Sequence, residues 1–353
     1  MQPITRQRFG QFQSRIAELN GVSVEDVSRH KFTVAPSVQQ TLVNRVQESD
    51  DFLRAINIVP VDDQSGQKLG LGIGGTVAGR TNTAAGNRRT GIDPTVLDGN
   101  GYVCTQTNFD TALRYDKLDM WAKFPDFETR IRDQIVIRQA LDRLMIGFNG
   151  TSVAVQTDRV ANPLLEDVNI GWLQSMRVDN VKRVLSAIPG GKVAGKVSYG
   201  STGDFGSIDG MVFRAKETLL PPWARKAPGL CVITGDDLIY DKYGPIMDKT
   251  EGSLDTLARA AIMADRQLGG LPTVRVPYFP GNAFMITTLN NLSIYFQDGK
   301  VRRLIRDEPD LDQVTDYQSS NEAYVVEDFN FAAMVENVVN TDASDADGEP
   351  AED

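Results

Sequence analysis

Between Gly66 and Gly91 the sequence abandons every pattern that builds a packed core. Eight of these 26 residues are glycine, four are basic (Lys68, Arg80, Arg88 and Arg89) and none is acidic. No helical period runs through the stretch, and glycine at this density is costly to order. The flanking residues 59–71 and 102–116 contain alternating segments such as Tyr102-Val103-Cys104-Thr105, the period of a half-buried strand. The reading is a long two-stranded excursion with a flexible basic tip. A loop this long inside a compact domain is usually functional, and a lone two-stranded ribbon is marginal in water. A chain carrying it needs another surface for it to lie on.

Other parts of the chain share that need. Phe9, Phe12, Ile16 and Leu19 recur at spacings of three or four, one face of a short amphipathic helix that Asn20-Gly21 would stop. Residues 1–31 hold five Lys/Arg against three Asp/Glu, although the 353-residue chain as a whole has a formal charge of −10. So short a helix is marginal alone. A second short helix is expected around residues 37–49, then a strand over 55–59. The strongest helical pattern starts at Pro125-Asp126 and runs to Met145-Ile146, before Gly147 and Gly150. Its expected stripe is Phe127, Ile131, Ile135, Leu141, Met145 and Phe148, widened by Val136, Ala140 and Leu144. Arg130, Arg132, Asp133, Arg138, Asp142 and Arg143 would cover the other side. At about 21 residues, roughly 30 Å, it suits a structural spine.

From about Leu165 to Leu289 the pattern is mixed α/β. Ser207 opens a helix with Ile208, Met211, Val212, Ala215 and Leu219 on one face, stopped by Pro221-Pro222. Ser253 caps another, ending at Gly269-Gly270. Residues 230–233, 273–276 and 284–286 read as strands. Residues 292–296 and 301–305 flank Asp298-Gly299 and are expected to pair as a hairpin. Residues 322–329 and 331–339 complete a C-terminal β region. Residues 341–353 carry six acids and no base and read as a disordered acidic tail.

The residue inventory excludes much chemistry. His30 is the only histidine, and the two cysteines, Cys104 and Cys231, form no CxxC pair. A Ser–His–Asp triad, a multi-histidine metal site or a histidine base would all have to use His30, which sits in the polar run Ser28-Arg29-His30-Lys31. The cysteines read as reduced and buried, as in a chain made inside a cell. No apolar run approaches the ~18–20 residues of a membrane span, and the N-terminus lacks a secretory apolar core. An acidic chain is not the profile of a sequence-reading nucleic-acid binder. Gly70-Leu71-Gly72-Ile73-Gly74-Gly75 matches GxGxxG in letters, with Asp93 at about the ribose-binding distance. The next residues, from Thr76 to Asn82, do not start the helix whose N-terminus would hold a pyrophosphate. Asp62-Asp63, Asp236-Asp237 and the group Asp307, Glu308, Asp310 and Asp312 lack the spacing of a calcium loop and read as solvated faces and caps. No catalytic residue, cofactor or metal ligand is assigned. The parts make sense if copies of the chain lie over one another, each burying its neighbour's excursions.

Several longer strings carry a resemblance. They are Gln47-Glu48-Ser49-Asp50-Asp51-Phe52-Leu53 followed by Ile56-Asn57-Ile58-Val59-Pro60-Val61, then Gly147-Phe148-Asn149-Gly150. Asn162-Pro163-Leu164-Leu165-Glu166-Asp167-Val168 with Gly171-Trp172-Leu173-Gln174 belong with them. So do Leu271-Pro272 with Val274-Arg275-Val276-Pro277-Tyr278-Phe279-Pro280, Asn291-Leu292-Ser293-Ile294-Tyr295 and Tyr324-Val325-Val326-Glu327-Asp328. Together, from about Arg6 to Glu336, the chain resembles the major capsid proteins of peduovirus-type tailed bacteriophages.

That resemblance implies an α+β fold, the capsid fold shared by tailed phages and herpesviruses. Residues 1–32 would be a cleavable segment that engages a scaffold, 33–61 an N-terminal arm, and 62–118 an extended β loop. Residues 119–164 and 288–340 would form a peripheral domain with its spine helix over 126–146. Residues 165–287 would form an axial domain, and 341–353 the tail. The implied partners are the chain itself, in hexamers and pentamers, an internal scaffolding protein that doubles as a protease, and a portal protein. Packaged double-stranded DNA would touch the shell without sequence preference, and no membrane is implied. Processing is expected near Lys31, Phe32 and Thr33, and inter-subunit loop contacts at Lys68, Arg80, Arg88 and Arg89. The implied location is the virion, assembled in the host bacterial cytoplasm. The rivals are a cellular nanocompartment shell of the same fold and a nucleotide-dependent enzyme using the loop Gly70 to Gly75.

Overall fold

The computed structural model describes residues 1–68, 71–73, 77–91, 95–97, 101–121, 124, 127–247 and 267–342. Its longest strand, Gln313–Val326, organises a seven-stranded sheet. Thr105–Asn108 and Thr111–Arg114 pair antiparallel along one edge of it. Leu292–Gln297 and Arg302–Glu308 also pair antiparallel to it. Glu322 faces Phe296 on one side and Thr105 on the other, while Ser319 faces Arg302 and Asn108. The strands either side of Asp298-Gly299 therefore run in one direction along the same edge.

The expected Asp-Gly hairpin is thus corrected. Five residues, 297–301, stand opposite two, Ser320 and Asn321, so the segment bulges without reversing. Gly299, at φ +65°, serves a bulge as readily as a turn. The reversal comes later, at Pro309–Leu311 and Asp312 (φ +51°), which joins Glu308 to its partner Gln313.

The spine is the helix Phe127–Asn149, 23 residues and about 35 Å long. The start signal Pro125-Asp126 lies outside the described residues. Its most buried line is Val136, Ala140, Leu144 and Phe148, rotated from the expected stripe, whose Ile131, Ile135 and Leu141 are half-buried. The rotation follows from Gln139 and Arg143, which turn inward to polar partners on the long strand.

The spine ends in a tight knot. A Cβ on Gly147 would run into the Trp172 ring, and one on Gly171 would sit within 2.5 Å of the Ile146 carbonyl oxygen. Bare backbone here lets Trp172 lie flat against the helix end, where its Nε1–H donates to the Ser293 carbonyl at 3.1 Å. Phe148 packs between Phe52, Trp172 and Phe279, with ring centres 5.4, 5.0 and 4.9 Å away. One core therefore joins spine, sheet and the second half of the chain.

The second sheet has six strands in the order Gln267–Leu268, Leu271–Arg275, Leu230–Thr234, Phe284–Thr288, Ala333–Val335, Val184–Leu185. The helix Ile208–Leu219 covers it with Ile208, Met211, Val212 and Ala215. Ser207 caps that helix, its hydroxyl accepting from the Gly210 amide at 3.2 Å. Residues 253–266 of the helix expected after Ser253, and residues 343–353 of the acidic tail, lie outside the described residues; at that helix's expected end Gln267–Leu268 is instead a strand paired with Leu271–Pro272. The C-terminal segment departs from the expected division. Ala333–Val335 lies inside the second sheet between Phe284–Thr288 and Val184–Leu185, and Val338–Asn340 forms a separate parallel pair with Val197–Tyr199, so neither joins the first sheet.

Candidate assembly surfaces

The N-terminal segment folds onto its own chain. Helix Pro3–Asn20 ends at Gly21, whose φ of +64° gives the left-handed cap that favours glycine. Ser23 then caps Val24–Arg29, with His30 at its end, 3.6 Å from Asp26. Phe9, Phe12 and Ile16 turn inward as the spacing predicts, whereas Leu19 is exposed. They pack with Ala17 and Val27 on Val34, Leu118, Val301, Ile305 and Val314 of the body. Asp119, on the unanticipated short helix Tyr115–Trp121, accepts from the Gln2 amide at 2.9 Å and the Thr5 hydroxyl at 2.5 Å. The Thr5 bond is the main cause of an Asp119 carboxyl held below the usual range.

The expected processing residues lie where this cap meets the sheet. Lys31 is exposed, while Phe32 is buried in the strand Phe32–Thr33, paired with Arg303 and Arg302. Residues 33–61, expected as an arm, lie against their own chain. Helix Pro36–Glu48 and the short helix Asp51–Ala55 feed Val46, Phe52 and Leu53 into the main core. Asn57–Val61 then pairs parallel with Leu292–Gln297.

The glycine-rich excursion is a ribbon. Ser65–Gln67 pairs with Gly101–Val103, and further out Leu71–Ile73 pairs with Thr95–Leu97. The centre of the GxGxxG string is thus a β ladder. Gly70, Gly74, Gly75 and Asp93 lie outside the described residues, and residues 77–82 form no helix. Every residue from 77 to 91 is exposed, including Arg80, Arg88 and Arg89. Lys68 is placed apart from them, its ammonium 3.9 Å from the centre of its own Phe329 ring.

Two features escaped the sequence reading. Arg143 and Glu322, 179 residues apart, form a buried bidentate pair: Nη2 stands 2.6 Å from Oε1, and Nε 3.2 Å from both carboxylate oxygens. Ser320 donates to the same carboxylate at 2.5 Å, and the guanidinium lies 4.3 Å from the Phe109 ring centre. Burial is the largest single influence and pulls the Arg143 pKa down, but the Glu322 charge and hydrogen bonds, joined by Tyr324 and Asp142, together outweigh it, so the net shift is upward. The second feature is the run 151–161, wholly exposed yet tied down. Thr151 and Ala154 amides donate to the Glu166 and Asp167 carbonyls at 2.7 and 2.9 Å, and the Asp158 amide to Asp167 Oδ2 at 2.7 Å. It holds Val153, Val155 and Val160 in solvent. The alternation Val153-Ala154-Val155 was the available signal.

Two of the acids singled out in the sequence have structural partners. Glu308 accepts from Gln313, Thr315 and Tyr317, and Asp236 pairs with Arg275 at 3.3 Å. Both cysteines are free and buried, and desolvation pushes each thiol up to about 11. At pH 8 the thiolate fraction is then about 0.1%. A disulfide reagent at pH 8 should label neither cysteine over an hour in the folded chain and both within minutes in urea; fast labelling of the native chain would contradict this burial. Among the described residues no helix is long and apolar enough to cross a membrane.

Comparison with known proteins agrees with this architecture. Residues 8–338 match the family model described as phage major capsid protein, P2 family. The chain is 46% identical over 341 residues to the capsid protein of Escherichia phage P2, covering 96% of this chain and 95% of that one. It is 39% identical over 341 residues to the major capsid protein of Serratia phage KSP20, covering 96% and 97%. A solved procapsid of satellite phage P4, which includes its size determination protein, superposes with a TM-score of 0.80 at 42% identity, covering 96% of this chain and 99% of that one. The chain carries the α+β tailed-phage capsid fold and belongs to the P2 family of phage major capsid proteins.

Proposed function

We propose that the chain assembles as hexamers and pentamers into the icosahedral head of a tailed phage around double-stranded DNA, and that its role is structural and not catalytic. The seven-stranded sheet with the spine serves as the peripheral domain, and most of the six-stranded sheet with its helix as the axial domain at the capsomer centre. The excursion spanning residues 62–118 and the arm segment 33–61 tie neighbours together. An internal scaffolding protease removes the N-terminal segment near Lys31, Phe32 and Thr33. The two-residue strand there, at a sheet edge, has few bonds to release when it lifts into a protease cleft. A portal protein completes the shell, and the chain's charge of −10 keeps the inner wall from gripping DNA at many sites.

The observation that carries this reading is the excursion tip. It holds Arg80, Arg88 and Arg89 in solvent beyond the outer strand pair Leu71–Ile73 and Thr95–Leu97. The exposed Val153, Val155 and Val160 supply a second, apolar contact. Charge reversal in R80E/R88E/R89E should cut recovery of finished, processed shells at least ten-fold while the unassembled chain keeps its circular dichroism and unfolding midpoint. Normal shell yield from that variant would remove the tip from the assembly contacts.

A further inference from the structure

The five residues 297–301 that bulge beside the long strand need partners that the ladder does not give them. The chain just after the expected processing residues supplies several. The Val34 amide donates to the Val301 carbonyl at 2.9 Å, and the Asp298 amide donates to the Val61 carbonyl at 2.9 Å. Gln39, in the first turn of the helix Pro36–Glu48, closes the middle of the bulge. Its Nε2 donates to the Gln297 carbonyl at 3.4 Å, and its Oε1 accepts from the Gly299 amide at 3.2 Å. That amide is shared with the Asp298 Oδ1 at 2.8 Å. Gln39 is 1% exposed, and a glutamine is seldom buried so fully unless its amide is bonded.

These bonds bracket the processing residues. A protease cleft takes several residues in extended form, so cutting depends on what local opening costs. Upstream, the Ser23-capped helix Val24–Arg29 ends at His30. Downstream, the next helix begins at Pro36. Between them only Phe32 and Thr33 pair with the sheet, followed by the single bond from Val34. Moving the cut a few residues further would unwind the start of that helix and pull Gln39 from the bulge. The Gln297 carbonyl would then lose its Gln39 partner in a buried setting, which is costly. We propose that Gln39 fixes the downstream limit of processing: seated in the bulge, it confines cleavage to the stretch around Lys31, Phe32 and Thr33 and keeps the retained chain docked from its first residues. Hydrolysis there adds one water across a single peptide bond, leaving a carboxylate on the released segment and an ammonium on the retained chain. The inference rests on the processing reading above and names the residue that bounds it.

Intact mass of the subunit in shells co-assembled with the scaffolding protease reads the boundary. The parent should give one shortened subunit. Gln39→Met keeps the length of the side chain and removes both of its bonds. Roughly ten-fold more of its subunits should be trimmed beyond Val34, since cutting follows the population of the opened form. Met211→Ala, a core truncation in the cluster of the second sheet, should keep the parent boundary. A Q39M boundary identical to the parent's would assign the limit to the local sequence alone, and trimming beyond Val34 in M211A would assign it to global stability. Either result overturns the proposal and leaves the processing reading standing. Full-length subunits in parent shells would instead sink the processing reading and this inference with it. Where Q39M forms no shells, brief digestion of the unassembled chain with a broad-specificity protease decides the matter. Residues 34–48 should be cut roughly ten-fold faster in Q39M than in the parent, with the helix Ile208–Leu219 cut at an unchanged rate. Equal rates over 34–48 would overturn the proposal.

Discussion

Replacing Glu322 by alanine should cost about 3–5 kcal/mol of stability, because Arg143 would remain buried with no counter-charge. The pair is bidentate, with its closest approach at 2.6 Å, and the side chains of Arg143 and Glu322 are only 11% and 3% exposed. Set against a typical domain stability of ~5–15 kcal/mol, the loss would leave much of the chain unfolded or aggregated. The control is the double variant R143M/E322L, which removes both charges and keeps the volume. Buried pairs replaced in this way are often neutral or better, so the double variant should recover most of the loss. Urea unfolding of the unassembled chain measures both. An E322A midpoint within about 1 kcal/mol of the parent would show that the pair is open to solvent in solution.

Gly171→Ala should be more damaging than its one added methyl suggests. The new Cβ would meet two carbonyl oxygens of the spine's last turn, those of Ile146 and Gly147. Backbone atoms in a hydrogen-bonded helix cannot step aside as a flexible side chain can. The Gly171 φ is −89°, so no backbone strain is involved; the cost is purely close approach. Relief would push Trp172 out of the aromatic knot and break its bond to Ser293. Overpacking usually costs ~1–3 kcal/mol, and a clash against backbone on both sides should exceed that range. Gly147→Ala meets the Trp172 ring, so it should be nearly as severe. At Gly79, where a Cβ would meet nothing within 4 Å, alanine should leave the unfolding midpoint unchanged. A G171A chain that expresses and unfolds like the parent would mean that the helix end and Trp172 are looser than described.

The parts legible in the sequence were those written in local period. The first helix with its stop at Gly21, the spine, the Ser207 cap and the ribbon all depend on residues a few positions apart. The Asp-Gly string shows the limit. The same dipeptide suits a reversing turn and a bulge, and only the long strand Gln313–Val326, lying beside both flanks, decides between them. Arg143 was placed on the solvent side because its partner is 179 residues away, and periodicity gives no hint of an inward-facing cation. The glycines of the knot are tertiary as well, since what forbids their side chains is a tryptophan or a carbonyl from another turn. Function was legible only through the family resemblance; the residues taken singly offered a basic ribbon and no chemistry.

The central claim is that this chain closes into a shell and is shortened on the way. The direct measurement is the intact mass of the chain recovered from fast-sedimenting particles after co-expression with its scaffolding protease. The account predicts large closed shells whose subunit lacks roughly thirty N-terminal residues, with cleavage near Lys31, Phe32 and Thr33. A chain that stays a small oligomer and never sediments fast would contradict it.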